Sequence, residues 1–174
     1  MNNKIPSSLD ISFWFCQKSE RNGAILSNAK LQHLLFLSQM HYLAKHKTFL
    51  FPSLFVCDKN GFSDNTIRTI MAHGLPLMSP PSFDTQTTSF LEEIWKKYGL
   101  QSENTLQKII ISTDSYKHFY KSGEETIANP ACFTDSVSPK QLLNTTKSQE
   151  KIMLSQNGPV KVSAWFPRKL GQPL

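Results

Sequence analysis

A mainly α-helical fold, a compact multi-helix domain around one long central helix, is what this 174-residue sequence predicts. Three observations carry that expectation. The stretch Asn28 to Lys47 contains no Gly or Pro, and its apolar residues recur at spacings of three and four. The other apolar runs open on Ser, Thr or Asp and close on Gly, as helices do at their ends. Extended signals gather in one aromatic stretch, so at most a short β-hairpin is expected near residues 50–62.

Taken in order, the first element is Ser8 to Arg21, with Ser7 or Ser8 as cap and Asp10 in the first turn, where the helix dipole favours an acid. Ile11, Trp14, Phe15 and Lys18 share one face, and Phe13 widens the apolar arc. The central helix follows, with Leu31, Leu34, Leu35, Phe36, Leu37, Met40, Leu43 and Ala44 on its apolar surface and Lys45, His46 and Lys47 at its C-terminal end. Leu34 and Leu35 are expected to be buried. Thr48 to Val56 reads as an extended arm, and Asp58-Lys59-Asn60-Gly61 as a turn, because Asn-Gly is the strongest short hairpin signal. Ser63, Asp64 and Asn65 cap a helix over Thr66 to His73, stopped by Gly74 and Pro76. A Pro-rich loop leads to a helix from Thr87 or Thr88 to Gly99, in which Phe90, Leu91, Ile94, Trp95 and Tyr98 fit one face. Shorter helices are expected over Thr105 to Ile111 and Asp114 to Lys121. Beyond Thr126 prolines interrupt every stretch, and only Pro139 to Leu154 has room for another helix.

Charge divides the chain at the same place. Residues 1–125 hold 13 Lys/Arg against 11 Asp/Glu, a net of +2, whereas residues 126–174 hold 6 against 2, a net of +4. The expected organisation is therefore a nearly neutral helical domain over 1–125 and a basic, Pro-interrupted extension over 126–174. No apolar run reaches the roughly 18–20 residues of a membrane span, and the N-terminal MNNKIPSSLD lacks the pattern of a secretory signal. Cys16, Cys57 and Cys132 are odd in number and far apart, which suits a reducing, cytoplasmic setting better than a disulfide framework.

Catalytic patterns are missing. GxGxxG, GxxxxGK[ST], HExxH, GxSxG and CxxC do not occur. His33, His41 and His46 lie on the central helix without an acidic or Cys partner there, so they read as buried or hydrogen-bonded histidines rather than zinc ligands. Glu92 and Glu93 sit four residues before Lys96 and Lys97, the spacing of a solvated helix face. The three cysteines lack a basic neighbourhood that would activate a thiolate. No cofactor, no metal and no enzymatic activity are expected. Two aromatic groups remain. Phe49, Phe51 and Phe55 read as core, and Trp165-Phe166 in the polar tail reads as a docking element, on its own domain or on a partner.

The residues Lys30-Leu31-Gln32-His33-Leu34-Leu35-Phe36-Leu37-Ser38-Gln39 resemble a known pattern, roughly L-x-K-L-Q-K-L-L-Y-F-x-Q-x-x-x-L. It is the signature of the Panacea domain, the SocA-like family of antitoxin and phage-associated proteins. A second block resembles L-x-x-V-W-x-x-Y-G-x-x-S-x-x-x-L, with Trp95, Tyr98, Gly99, Ser102 and Leu106 in the matching places. The two blocks bound a resemblance over about residues 9–124. Between them many family members carry Trp and Gly-Pro-Val, where this chain reads Val56 to Ser63 and keeps only Gly61. The family's Thr-His and Pro-Trp are replaced by Ser112-Thr113 (or Ile111-Ser112) and Ser115-Tyr116.

The resemblance implies a helical cytoplasmic protein that binds a toxin and neutralises it, by masking it or by delivering it to a protease. Both altered motifs fall outside the central helix, which places the expected contact surface at Asn60, Gly61, Phe62 and Tyr116, with Trp165 and Phe166 as a further candidate. The competing reading of Phe62 and Tyr116 is that their rings fill the core. The competing function is a nucleic-acid-binding or phage accessory regulator using the basic extension. Against it stand the presence of only three arginines, Arg21, Arg68 and Arg168, and the lack of a basic recognition helix.

Overall fold

The computed structural model describes residues 4–74, 81–128, 151–155 and 158–162. It is mostly helical, with a small antiparallel sheet. Helices α1 (Ser8–Arg21) and α2 (Asn28–His46) lead to strands β1 (Phe55–Asp58) and β2 (Gly61–Asp64). Next come α3 (Asn65–His73) and α4 (Thr85–Ile94), the latter running into a π-helical turn over Trp95–Gly99. Helices α5 (Glu103–Ile111) and α6 (Asp114–Phe119) precede β3 (Thr126–Ala128), and β4 (Lys151–Ser155) pairs with β5 (Gly158–Val162) as a separate hairpin.

Each α-helix begins where a short polar side chain occupies the orphan amides of its first turn. Ser7, Ser27, Asp64, Asp84, Ser102 and Thr113 each accept from a backbone N–H two or three residues on. At the far end of α2, Lys47 takes a left-handed conformation at φ 59° and its N–H returns to the Leu43 carbonyl at 2.9 Å.

Helix α2 is the centre of the fold. Every residue from Leu31 to Leu43 is buried, Leu34 and Leu35 among them. It packs against α1, α3, α4, α5 and β2. A helix surrounded in this way must satisfy the polar residues it carries inward, and Gln32 and Gln39 show how. Gln39 Oε1 accepts from the Leu50 and Phe51 amides at 3.1 and 3.3 Å, while its Nε2 donates to the Phe51 carbonyl at 3.0 Å. Gln32 Oε1 accepts from the Asp64 amide at 2.7 Å. Each glutamine thus acts as a strand neighbour, pinning passing backbone to the central helix.

The π-helical turn answers to a glycine. A Cβ on Gly99 would lie 2.4 Å from Trp95 Cδ2, with two further indole carbons within 2.7 Å. The buried indole lies over the bare Cα one turn on, and its ring also faces Phe15 at 6.2 Å between centroids. Gly99→Ala should therefore displace Trp95 and lose about 1–3 kcal/mol by overpacking. Urea unfolding measures this, and an unchanged midpoint would show that the indole has room to move.

Thr126–Ala128 pairs with β1, so the sheet takes in residues just past the boundary expected at 125. Of the stretch with room for another helix, Lys151 to Leu154 instead lies in β4, paired antiparallel with β5. The rest of that stretch, 139–150, lies outside the described residues.

Candidate partner-binding surface

The hairpin forms where Asn-Gly predicted it, with pairs Phe55↔Asp64, Val56↔Ser63, Cys57↔Phe62 and Asp58↔Gly61. Asp58 Oδ1 accepts from the Asn60 amide at 2.7 Å and closes the turn. Gly61 has φ 121°, a conformation that disfavours a side chain, and a Cβ there would meet Ile110 Cγ2 at 3.2 Å. The turn is anchored from beneath, because the Asn60 carbonyl accepts from His33 Nε2 at 3.2 Å. That bond puts the His33 proton on Nε2 and leaves Nδ1 buried without a partner. Burial pushes the His33 pKa down, against the pull of that hydrogen bond.

Pairing across the hairpin decides which predicted contact residues face outward. Residues opposite one another in an antiparallel ladder point to the same side, and neighbours along a strand alternate. Phe55, Cys57, Phe62 and Ala128 therefore share the inner face, and all four are buried. Phe62 is only 1 % exposed and lies flat on Phe36, centroids 4.2 Å apart and planes 10° from parallel. Tyr116 and Phe119 each meet the Phe62 ring edge-on at 6.3 Å. Tyr116 is itself buried and stacks on Tyr120 at 4.9 Å. The expected contact residues Phe62 and Tyr116 are thus core residues, and Gly61 is buried with them. Of that set only Asn60 is exposed. Trp165 and Phe166 lie outside the described residues.

The outer face of the same sheet carries what the inner face does not. Val56, Ser63 and Ile127 fall there by register, and Leu54 immediately precedes β1. Leu54 is 50 % and Ile127 63 % exposed, flanking the buried Val56. Among the described residues the exposed large apolar side chains are these two together with Ile25 and Leu100. Strand β3 forms one edge of this sheet, and Arg68 of α3 ties the segment before it through an ion pair with Glu125 at 2.9 Å. In the sequence this face was hidden, because Leu54-Phe55-Val56-Cys57 is apolar at both phases of a two-residue period.

A second feature lies between α2 and α4. A groove of about 320 Å³ is lined by His41, Ala44 and Lys45 from α2 and by Phe90, Glu93, Ile94 and Lys97 from α4 and its π-helical turn. His41 Nε2 lies 2.8 Å from the Tyr98 hydroxyl. Burial, with Lys97 adding to it, pushes His41 down to about 4, so the imidazole is neutral at pH 7. Burial likewise raises Tyr98 to about 12 and lowers Lys97. The sequence holds each half of this lining at helical spacing, but nothing in it pairs the two helices.

Burial raises both Cys16 and Cys57 to about 11, which keeps them as thiols. Among the described residues no group of three or more His, Cys, Asp or Glu is placed to hold a metal ion. No described helix is long and apolar enough to cross a membrane. The geometry defines a small helical scaffold with an apolar sheet face. Compared with protein-family models, curated proteins and solved structures, the chain finds no match.

Proposed function

We propose that the chain is a non-enzymatic, antitoxin-like protein of the cytoplasm that binds a toxin and neutralises it, using the outer face of its three-stranded sheet. The observation that carries this reading is that Ile127 stands exposed on the outer face, with exposed Leu54 just before β1, while the inner face is filled by aromatic rings. Exposed apolar side chains gathered on one sheet face suit a partner better than solvent. Asn60 at the adjoining turn supplies a polar group for the rim of such a contact.

The resemblance to the Panacea domain supports the choice of partner. Its two sequence blocks, α2 and the stretch from Phe90 to Leu106, lie against each other in one core, joined by the His41–Tyr98 contact. The matching residues Gln32, Gln39, Trp95 and Gly99 all hold the scaffold. The contact surface is then free to follow its partner, by masking the toxin or by presenting it to a protease.

The test is rescue of growth. Each open reading frame beside the gene is expressed with and without this chain, and one of them should be toxic alone and harmless in its company. Leu54→Asp with Ile127→Asp should abolish that rescue while the melting temperature stays nearly constant, since both side chains are at least half exposed. Failure of every neighbouring frame to be toxic, or full rescue by the double variant, would refute the reading. Salt-sensitive DNA binding by the whole chain would favour the regulator with a basic extension instead.

A further inference from the structure

The N-terminal segment, the first turn of α1 and the residues entering α4 border a pocket of about 250 Å³. Ile5, Pro6, Pro81 and Phe83 supply its apolar wall, and Lys4, Asp10 and Asp84 supply its charge. Both sides of the pocket are held in place. The Lys4 and Ile5 amides donate to the Phe49 and Leu50 carbonyls, and Asp84 caps α4 by accepting from the Thr87 amide at 2.7 Å. The three charges are not equally engaged. Lys4 Nζ lies 2.7 Å from Asp84 Oδ2, and Lys4, with Thr87 after it, holds the Asp84 carboxyl well below the usual carboxylate range. Asp10 takes part in no ion pair among the described residues. Lys4 and Asp84 offset each other, so the lining keeps one net negative charge, on Asp10, beside walls of proline and an aromatic ring.

We propose that this pocket binds a small organic cation, a protonated amine on an apolar body, with its ammonium at the Asp10 carboxylate and its body against Pro6, Pro81 and Phe83. The volume suits a small molecule, since it lies just under the roughly 300–1,000 Å³ of cavities that hold drug-sized ligands. Other ligand classes fit less well. An anion would face two carboxylates and one lysine that is already paired. A neutral apolar molecule would take Asp10 away from water and offer it nothing in exchange. A bare divalent ion would leave the apolar wall unused, and among the described residues no group of three or more His, Cys, Asp or Glu is placed to hold one. An amine answers both halves of the lining, because its charge meets the carboxylate and an aromatic face attracts cations. The pocket shares no residue with the sheet face, so its fate is separate from that of the toxin-binding reading.

Benzylamine titrated into the ¹⁵N-labelled full chain tests the proposal, with benzyl alcohol and phenylacetate as comparison probes. Benzylamine should give saturable amide shifts concentrated on residues 4–10 and 82–87. Benzyl alcohol and phenylacetate should bind at least about tenfold more weakly. Asp10→Asn should weaken benzylamine roughly fivefold and leave benzyl alcohol unaffected. Lys4→Gln acts in the opposite direction. It removes the competing cation, returns the Asp84 carboxylate to the lining, and should tighten benzylamine roughly threefold. Melting temperatures confirm that both variants fold. The proposal is overturned if benzylamine gives no saturable shift at millimolar concentration, or if benzyl alcohol or phenylacetate binds as tightly. Benzylamine affinity that survives Asp10→Asn, or that fails to rise with Lys4→Gln, overturns it too.

Discussion

Phe62→Ala should lose about 3–5 kcal/mol of folding stability, the range for removing a fully buried aromatic ring. Phe62 is 1 % exposed and takes part in three ring contacts at once, stacked on Phe36 and edge-on to Tyr116 and Phe119. Its loss opens a cavity among α2, β2 and α6, and each remaining ring also forfeits a favourable pair. Tyr116→Ala should weaken the same cluster, and the two losses should not add, because the rings touch. Urea unfolding of the single and double variants gives the numbers. A loss under about 1 kcal/mol for Phe62→Ala, well below the buried-ring range, would return Phe62 to the surface and reopen the contact face expected from the sequence.

The burial of Phe62 and Tyr116 shows where sequence reasoning stops. The central helix was legible because everything that makes it is local: Ser27 to cap it, apolar residues at helical spacing, and no Gly or Pro before Lys47. The hairpin turn was legible for the same reason, since Asn60-Gly61 carries its own geometry. Which side of the hairpin faces inward is another kind of fact. Residues 54–57 offer apolar side chains to both faces, and the tie is broken by a residue far back in the sequence, Phe36, whose ring takes Phe62. Strand β3 adds to the difficulty. It spans three residues and joins β1 across some seventy intervening positions, with no local signal that it would do so. The groove shares this character, being written half in α2 and half in α4.

The glutamines show the other side of the same limit. Gln32 and Gln39 are seven residues apart and lie on nearly the same side of α2, and the sequence marks them only as members of a pattern. Their work depends on the backbone that passes them. Residues 49–51 are held on one edge by the chain's own N-terminal segment, with the Lys4 amide donating to Phe49 at 3.2 Å and the Ile5 amide to Leu50 at 2.7 Å. Among the described residues the other edge has no strand, and the Gln39 side chain stands in for one.

Gln39→Leu should therefore be costly although it puts an apolar residue of similar size into a buried site. It leaves the Leu50 and Phe51 amides and the Phe51 carbonyl without partners around a site where Gln39, Leu50 and Phe51 are all 0 % exposed. An orphaned buried polar group costs about 1–3 kcal/mol, so three of them should cost about 3 kcal/mol or more even if the arm relaxes partly. Gln39→Glu should do no better, because it keeps an acceptor for the two amides but buries a charge and loses the donor to Phe51. Two measurements check this. Urea unfolding gives the global loss, and hydrogen exchange at the Leu50 and Phe51 amides should quicken beyond what that loss explains, because these bonds break first. Protection unchanged at both amides, with stability within about 1 kcal/mol of the parent, would mean that the arm finds other partners and that Gln39 is not its clamp. If the clamp holds, affinity for the proposed partner per folded molecule should survive Gln39→Leu and fall with Leu54→Asp and Ile127→Asp, which separates the residues that build the scaffold from those proposed to use it.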